Sequence, residues 1–63
     1  MKPNRDDIAN KLSIVNKIIR KGYDDVLNTI TCKHKEYCLS IKNDNYYILK
    51  EELMNELGQL VTN

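Results

Sequence analysis

The sequence contains no Trp and no Phe, and it has only one Pro, one His, two Gly and two Cys. Without the two largest aromatic residues, the core must be built from Ile, Leu, Val and the four Tyr. No stretch approaches the roughly 18 consecutive apolar residues of a membrane-spanning helix. The opening MKPNRDDIAN also lacks the apolar run of a signal peptide. We therefore expect a cytoplasmic protein with reduced thiols and no membrane partner.

Catalytic motifs are missing as well. The chain has no Gly-rich phosphate loop and no nucleophile placed beside a base. Its single histidine, His34, has no orienting carboxylate next to it, so it does not form a catalytic array. A chain this small also leaves no room for a sizeable pocket. We expect no enzyme activity, no catalytic residues and no cofactor.

Length and composition favour one compact domain spanning residues 1–63. The chain is 41% hydrophobic and 30% charged, which is typical of a globular domain rather than a disordered one. Residues 1–35 carry eight basic and four acidic side chains, whereas residues 36–63 carry two and five. Nucleic-acid binders usually show a stronger positive excess. This dipolar distribution instead suits docking on a charged protein surface.

Residues 5–21 predict a helix whose two ends are both marked. Asn4 is a good N-cap, and Asp7 stands three residues later, as in a capping box. Gly22 is well placed to end the helix in a left-handed conformation. Apolar side chains recur on one helical face, which indicates the buried side. That face consists of Ile8, Leu12, Val15 and Ile19, widened by Ile14 and Ile18.

After this helix the apolar pattern changes from helical to alternating. Three short segments alternate and are rich in β-branched or aromatic residues, which predicts strands. They are VLNTITC (26–32), YCLSIK (37–42) and YYI (46–48), separated by a loop at 33–36 and an NDN turn at 43–45. KEELMNELGQLV (50–61) predicts a closing helix, with Leu49, Leu53, Leu57 and Leu60 facing inward. The predicted fold class is α+β, in the order α-β-β-β-α, with two helices on one face of a three-stranded antiparallel meander.

The stretch CKHKEYC, residues 32–38, contains both cysteines and the only histidine. Apolar residues of both strands share a face when residues 33–36 form the hairpin loop. In this register Leu39 and Ile48 lie on the core face together with Cys32, and Cys38 lies on the opposite, polar face. The two thiols then cannot form a disulfide within one chain. A structural zinc site needs four ligands and this stretch offers three, so no metal site is expected. His34 is predicted to lie at the exposed loop tip.

Two stretches resemble known nucleic-acid-binding families. The α-β-β-β-α order and the His-bearing loop KHKEYCLSI resemble the double-stranded RNA-binding domain, a family that places such a loop in the RNA minor groove. Glu51 and Glu52 stand where that family carries a lysine cluster, so the resemblance is one of topology. NYYILKEELMNEL is similar to the strand-to-helix ending of small excisionase-type DNA-binding domains. Small phage-encoded inhibitors, including some anti-CRISPR proteins, use comparable helix-plus-meander folds.

The resulting hypothesis is a small non-catalytic protein-binding module that inhibits a larger host protein by occupying a functional site. The abundance of Asn, Lys and Ile is typical of AT-rich phage, mobile-element or bacterial genomes. Exposed tyrosines are good interface anchors, and an acidic pair can dock on a basic groove, although such pairs also complement a helix dipole. The candidate partner-binding residues are Tyr23, Tyr47, Glu51 and Glu52.

Two alternatives stay open. The first is a nucleic-acid-binding domain that uses the basic end of the first helix and the loop tip. Its candidate residues are Lys17, Arg20, Lys21, Lys33, His34 and Lys35. The second is self-association into a homodimer through the open sheet edge or the polar sheet face.

Overall fold

The protein consists of four helices and connecting turns. A computed structural model describes the backbone of residues 4–62 and the side chains of residues 4–31 and 34–60. The helices are α1 (Arg5–Lys21), α2 (Tyr23–Thr29), α3 (Cys32–Ser40) and α4 (Tyr46–Thr62). Residues 4–62 contain no strand, so the predicted α+β class and its three-stranded meander are wrong. The fold is a small all-α one.

The prediction for α1 is confirmed at both ends. The Asn4 side-chain oxygen accepts a hydrogen bond from the Asp7 N–H at 2.7 Å. At the other end, the Gly22 N–H donates to the Ile18 carbonyl oxygen at 2.8 Å. Gly22 has φ 102° and ψ 153°, a positive φ as expected, but an extended ψ rather than a left-handed helical one. The chain therefore changes direction there, and α2 begins at the next residue.

The strand predicted at residues 26–32 is absent, and its first four residues belong to α2, which begins at Tyr23 and ends at Thr29. Asp24 and Asp25 lie in the first turn of α2, where carboxylates complement the positive end of the helix dipole. The Thr29 hydroxyl donates to the carbonyl oxygens of Asp25 and Val26 at 3.0 and 3.2 Å, which is how a Thr side chain is accommodated in a helix. The β-branched residues had favoured a strand, but α2 instead buries Val26 in the core.

The CKHKEYC stretch forms most of α3 and is not a hairpin tip. The N–H groups of His34 and Lys35 donate to the Thr31 carbonyl oxygen at 3.0 and 3.1 Å, which forms the first turn. Cys38, predicted to lie on a polar face, is completely buried. Leu39, predicted to face the core, is 55% exposed. The period along this segment is therefore 3.6 rather than 2.

The sequence arguments about Cys32 and Cys38 depended on the wrong register. The side chain of Cys32 lies outside the described residues. Positions six residues apart in one helix are separated by about 9 Å along its axis. That exceeds the roughly 7 Å limit between Cα atoms for an unstrained disulfide. An intrachain disulfide between these two positions is thus disfavoured by helix geometry, not by opposite faces of a sheet.

The turn predicted at residues 43–45 is present, but it connects two helices instead of two strands. The Asn45 side-chain oxygen accepts hydrogen bonds from the N–H groups of Tyr47 and Ile48 at 3.1 and 3.2 Å. This interaction caps the start of α4, which begins four residues before the predicted position. The YYI segment is therefore the first turn of a helix and not a third strand.

The core lies mainly between α1 and the other three helices. α1 packs most extensively against α4 and then against α2. As the absence of Phe and Trp predicts, the buried side chains are aliphatic or thiol-bearing. They are Ile8, Ile14, Val15, Ile18, Val26, Cys38, Ile41 and Leu53. Leu49 and Leu57 pack against this core as predicted, whereas Leu60, also predicted to face inward, is 39% exposed.

Candidate functional site

Three of the four predicted partner-binding residues lie together on the first half of α4. Tyr47, Glu51 and Glu52 are all exposed, and Tyr47 is 71% accessible. Ile48 and Met54 lie on the same side of the helix and are 56% and 52% exposed. We call these five residues the α4 outer face. Their positions follow the i, i+4, i+7 spacing of one helical surface, opposite the buried Leu53.

Sequence reasoning missed Ile48 and Met54. Ile48 was assigned to the core side of a strand, and Met54 was not singled out. The missing signal was Asn45, whose side chain starts the helix four residues early. Once Tyr46 is the first helical residue, Ile48 and Met54 both fall on the side opposite the leucine stripe.

Acidic side chains surround the apolar part of the α4 outer face. A cleft of about 270 Å³ beside Ile48 is lined by Asp44 and Glu52. A second cleft, of about 400 Å³, has Leu49 and Leu53 at its base and Glu52 and Glu56 among its lining residues. An apolar surface with this rim complements a partner surface that is apolar at its centre and basic at its edge.

Tyr23, the fourth predicted partner-binding residue, does not belong to this surface. Its hydroxyl oxygen is buried and has no hydrogen-bond partner. Burial and then the neighbouring Cys38 raise the pKa of Tyr23. The Cys38 thiol interacts with this hydroxyl without forming a hydrogen bond of normal geometry. Tyr23 is therefore part of the packing around Cys38 and lies apart from the α4 outer face.

Burial dominates the chemistry around the Cys38 thiol. It raises the pKa of Cys38, and the interaction with Tyr23 lowers it only in part. Burial also raises the pKa of Tyr46, whose hydroxyl donates to the Lys42 carbonyl oxygen at 2.6 Å. A protonated and inaccessible thiol is a poor nucleophile and a poor metal ligand. The position of Cys38 thus indicates a packing role.

The nucleic-acid candidates are only partly brought together. Lys17 and His34 line one cleft of about 230 Å³, together with Thr29 and Thr31. Lys17 and Arg20 line a different groove, while Lys21 and Lys35 are exposed and line neither. His34 is half-buried on α3 and does not lie at a loop tip, and the side chain of Lys33 lies outside the described residues. The structure therefore supplies no single basic surface containing this set.

A further cleft of about 390 Å³ separates the start of α1 from α3. At its edge, the Lys11 ammonium forms an ion pair with Asp7 at 3.1 Å and lies 5.3 Å from the centre of the Tyr37 ring. The Tyr37 hydroxyl is buried without a hydrogen-bond partner. Burial, followed by the charges of Asp44, Asp7 and Glu56, raises the pKa of Tyr37. The Asp7–Lys11 ion pair lies within α1, whereas the contact between Lys11 and the Tyr37 ring joins α1 to α3.

Side chains 4–31 and 34–60 contain no group of three or more His, Cys, Asp or Glu that could hold a metal ion. Within the described part of the chain, no helix has the length and apolar character needed to cross a membrane. No protein-family model, curated protein or solved structure matches this chain.

Proposed function

We propose that this protein is a small non-catalytic binding module that inhibits a larger protein by covering a functional site with the α4 outer face. The observation that supports this role is the exposure of Tyr47, Ile48 and Met54 on one helical surface. Single exposed apolar residues are ordinary, but a cluster rimmed by charge is typical of an interaction site. Leu39 is also exposed, but it lies on α3 and not on this helical surface.

The acidic rim favours a protein partner over nucleic acid. Glu51 and Glu52 would repel phosphate groups, whereas they would attract lysines and arginines around a protein groove. An amphipathic helix presents anchors of this kind to a groove at i, i+4 and i+7 positions. Tyr47 supplies the aromatic anchor that such interfaces commonly use. We place this interaction in the cytoplasm of a cell in which a phage, mobile element or bacterial genome expresses the protein.

The test is a pull-down from host lysate with the tagged protein, with and without nuclease, read by mass spectrometry. The wild-type protein is compared with Tyr47→Ser/Ile48→Ser and with the control Leu39→Ser, which changes an equally exposed apolar residue on α3. We expect one protein at near-equal stoichiometry with the wild type and the control. Truncating a central anchor costs about 1.4 kcal/mol or more, so the double variant should bind at least about tenfold more weakly.

Far-UV circular dichroism and urea unfolding test whether the variants are folded. We expect both variants to keep the wild-type fold, because exposed substitutions change stability by only about 0.5 kcal/mol. A partner that both variants retain equally would place the interface elsewhere on the protein. Recovery that disappears with nuclease would instead support nucleic-acid binding. Either result would overturn the assignment of the α4 outer face.

A further inference from the structure

A second surface lies on the other side of α4, between that helix and α1. This groove has a volume of about 370 Å³ and follows one face of α1 from Ala9 to Arg20. Ala9, Leu12 and Leu57 form its apolar part, and Lys17 and Arg20 supply positive charge. We call these five residues the α1 groove. The proposed inhibitory function makes no use of it.

The α1 groove and the α4 outer face have complementary charges. The groove contains two exposed cations, Lys17 and Arg20. The outer face contains two exposed carboxylates, Glu51 and Glu52, beside its apolar side chains. Each surface therefore combines an apolar centre with two charges, and the charges are of opposite sign. Opposite potentials of this kind favour association and fix its orientation.

The dimensions of the two surfaces also agree. Ala9 to Arg20 spans eleven residues of helix, which is about 16 Å at 1.5 Å per residue. Tyr47 to Met54 spans seven residues, or about 10 Å. The shorter ridge can thus lie within the longer groove. Within one molecule the two surfaces cannot meet, because α4 packs its opposite side, including Leu53, toward α1.

We propose that the α1 groove of one copy binds the α4 outer face of a second copy. Because the two surfaces differ, each copy uses a different patch from its neighbour, and the association is head-to-tail. Each surface was defined by five residues, which is fewer than the roughly 20–30 residues per partner of a standard interface. The association is therefore weak, with a dissociation constant on the order of 0.1–1 mM. It competes with any protein that binds the α4 outer face, but it does not depend on such a partner.

Sedimentation velocity of the purified full chain tests this proposal, from about 20 µM to about 1 mM at low ionic strength. We expect the weight-average mass to rise with concentration and to fall toward the monomer mass in about 0.5 M salt, where exposed charges are screened. The groove variant is Lys17→Glu/Arg20→Glu, and the ridge variant is Glu51→Lys/Glu52→Lys. Each variant alone places like charges opposite each other and should stay monomeric over the same range.

Mixing the two variants is the decisive step. In a one-to-one mixture, the acidic ridge of the groove variant meets the unchanged basic groove of the ridge variant. The acidic groove of the groove variant likewise meets the basic ridge of the ridge variant. Association should return to at least the wild-type level. The control Lys35→Glu/Lys42→Glu has the same net charge as the groove variant, but it changes exposed lysines that do not line the groove. It should associate like the wild type.

Several results would overturn the proposal. The first is a wild-type protein that keeps the monomer mass up to about 1 mM. The second is a one-to-one mixture of the groove and ridge variants that does not associate. The third is loss of association in the Lys35→Glu/Lys42→Glu control as well as in the groove variant. Loss in the ridge variant alone would indicate a symmetric contact between two α4 outer faces, which also contradicts the use of the groove. None of these results requires the lysate partner, so failure here is distinguishable from failure of the proposed inhibitory function.

Discussion

Gly22 offers the sharpest test of the observed backbone. Its φ of 102° and ψ of 153° lie in a region that essentially only glycine occupies. A Cβ atom added at Gly22 would meet no other atom within 4 Å, so Gly22→Ala changes backbone strain and not packing. Such strain costs about 1–3 kcal/mol, while the reduced freedom of the unfolded chain returns about 0.4–1 kcal/mol. At the middle of both ranges, the expected net loss in the free energy of unfolding is about 1.3 kcal/mol.

That loss is large for this chain. At about 0.05–0.15 kcal/mol per residue, a domain of this length has a stability of about 3–9 kcal/mol. Gly22 joins α1 to α2, since its N–H donates to Ile18 and its carbonyl oxygen accepts from Val26 at 3.3 Å. Relaxing the strain in Gly22→Ala would move α2 away from α1 and would expose Val26. Urea unfolding followed by circular dichroism at 222 nm measures the change.

Gly58 provides the matched control, because the same chemical change is expected to have the opposite sign. It lies inside α4, and an added Cβ would meet no atom within 4 Å. Gly58→Ala should therefore stabilise the protein by about 0.5–1 kcal/mol, through helix propensity alone. Each kcal/mol shifts the thermal midpoint by about 4–8 °C in a domain of this size. A neutral or stabilising Gly22→Ala, or two variants that shift in the same direction, would refute the assigned geometry.

Two further predictions follow from the cap of α4 and from the buried thiol. Asn45→Ala should cost about 1 kcal/mol of unfolding free energy because it removes the α4 cap. The control Asn43→Ala, in the exposed part of the same turn, should change stability little. Equal effects of the two substitutions in urea unfolding would contradict a helix start at Tyr46. Burial raises the pKa of Cys38 from its ordinary 9.0, and it also raises the pKa values of Tyr23, Tyr37 and Tyr46. As the pH rises, the unfolded state therefore loses these protons before the folded state does. The unfolding free energy should be steady below about pH 9 and fall above it, and the fall should be less steep in Cys38→Ala. An unfolding free energy that rises with pH would be inconsistent with burial of these groups.

The sequence predicted only part of the candidate docking surface. Tyr47, Glu51 and Glu52 could be proposed because their residue types suit an interface, whatever the secondary structure. Ile48 could not, because the choice between strand and helix decides which side it faces. The groove between α1 and α4 could not be predicted from the sequence either, since it combines Leu57 with residues about 40–50 positions earlier in the chain.

Local sequence signals were sufficient to predict α1, the turn at residues 43–45 and the inward stripe of Leu49, Leu53 and Leu57. In α1 the local signals agree, because a cap, a terminal glycine and a helical apolar period coincide over 17 residues. The turn is specified by residue types with strong local preferences.

The conformation of residues 23–40 depends on their packing in the folded protein. The segments that form α2 and α3 have seven and nine residues, and isolated helices shorter than about 12–15 residues are marginal in water. Their β-branched residues and alternating apolar residues fit a strand equally well. Burial of Val26 and Cys38 in the core shared with α1 favours the helical conformation. The energy of that packing exceeds the small differences in local propensity, and for this reason the local pattern could not reveal the outcome.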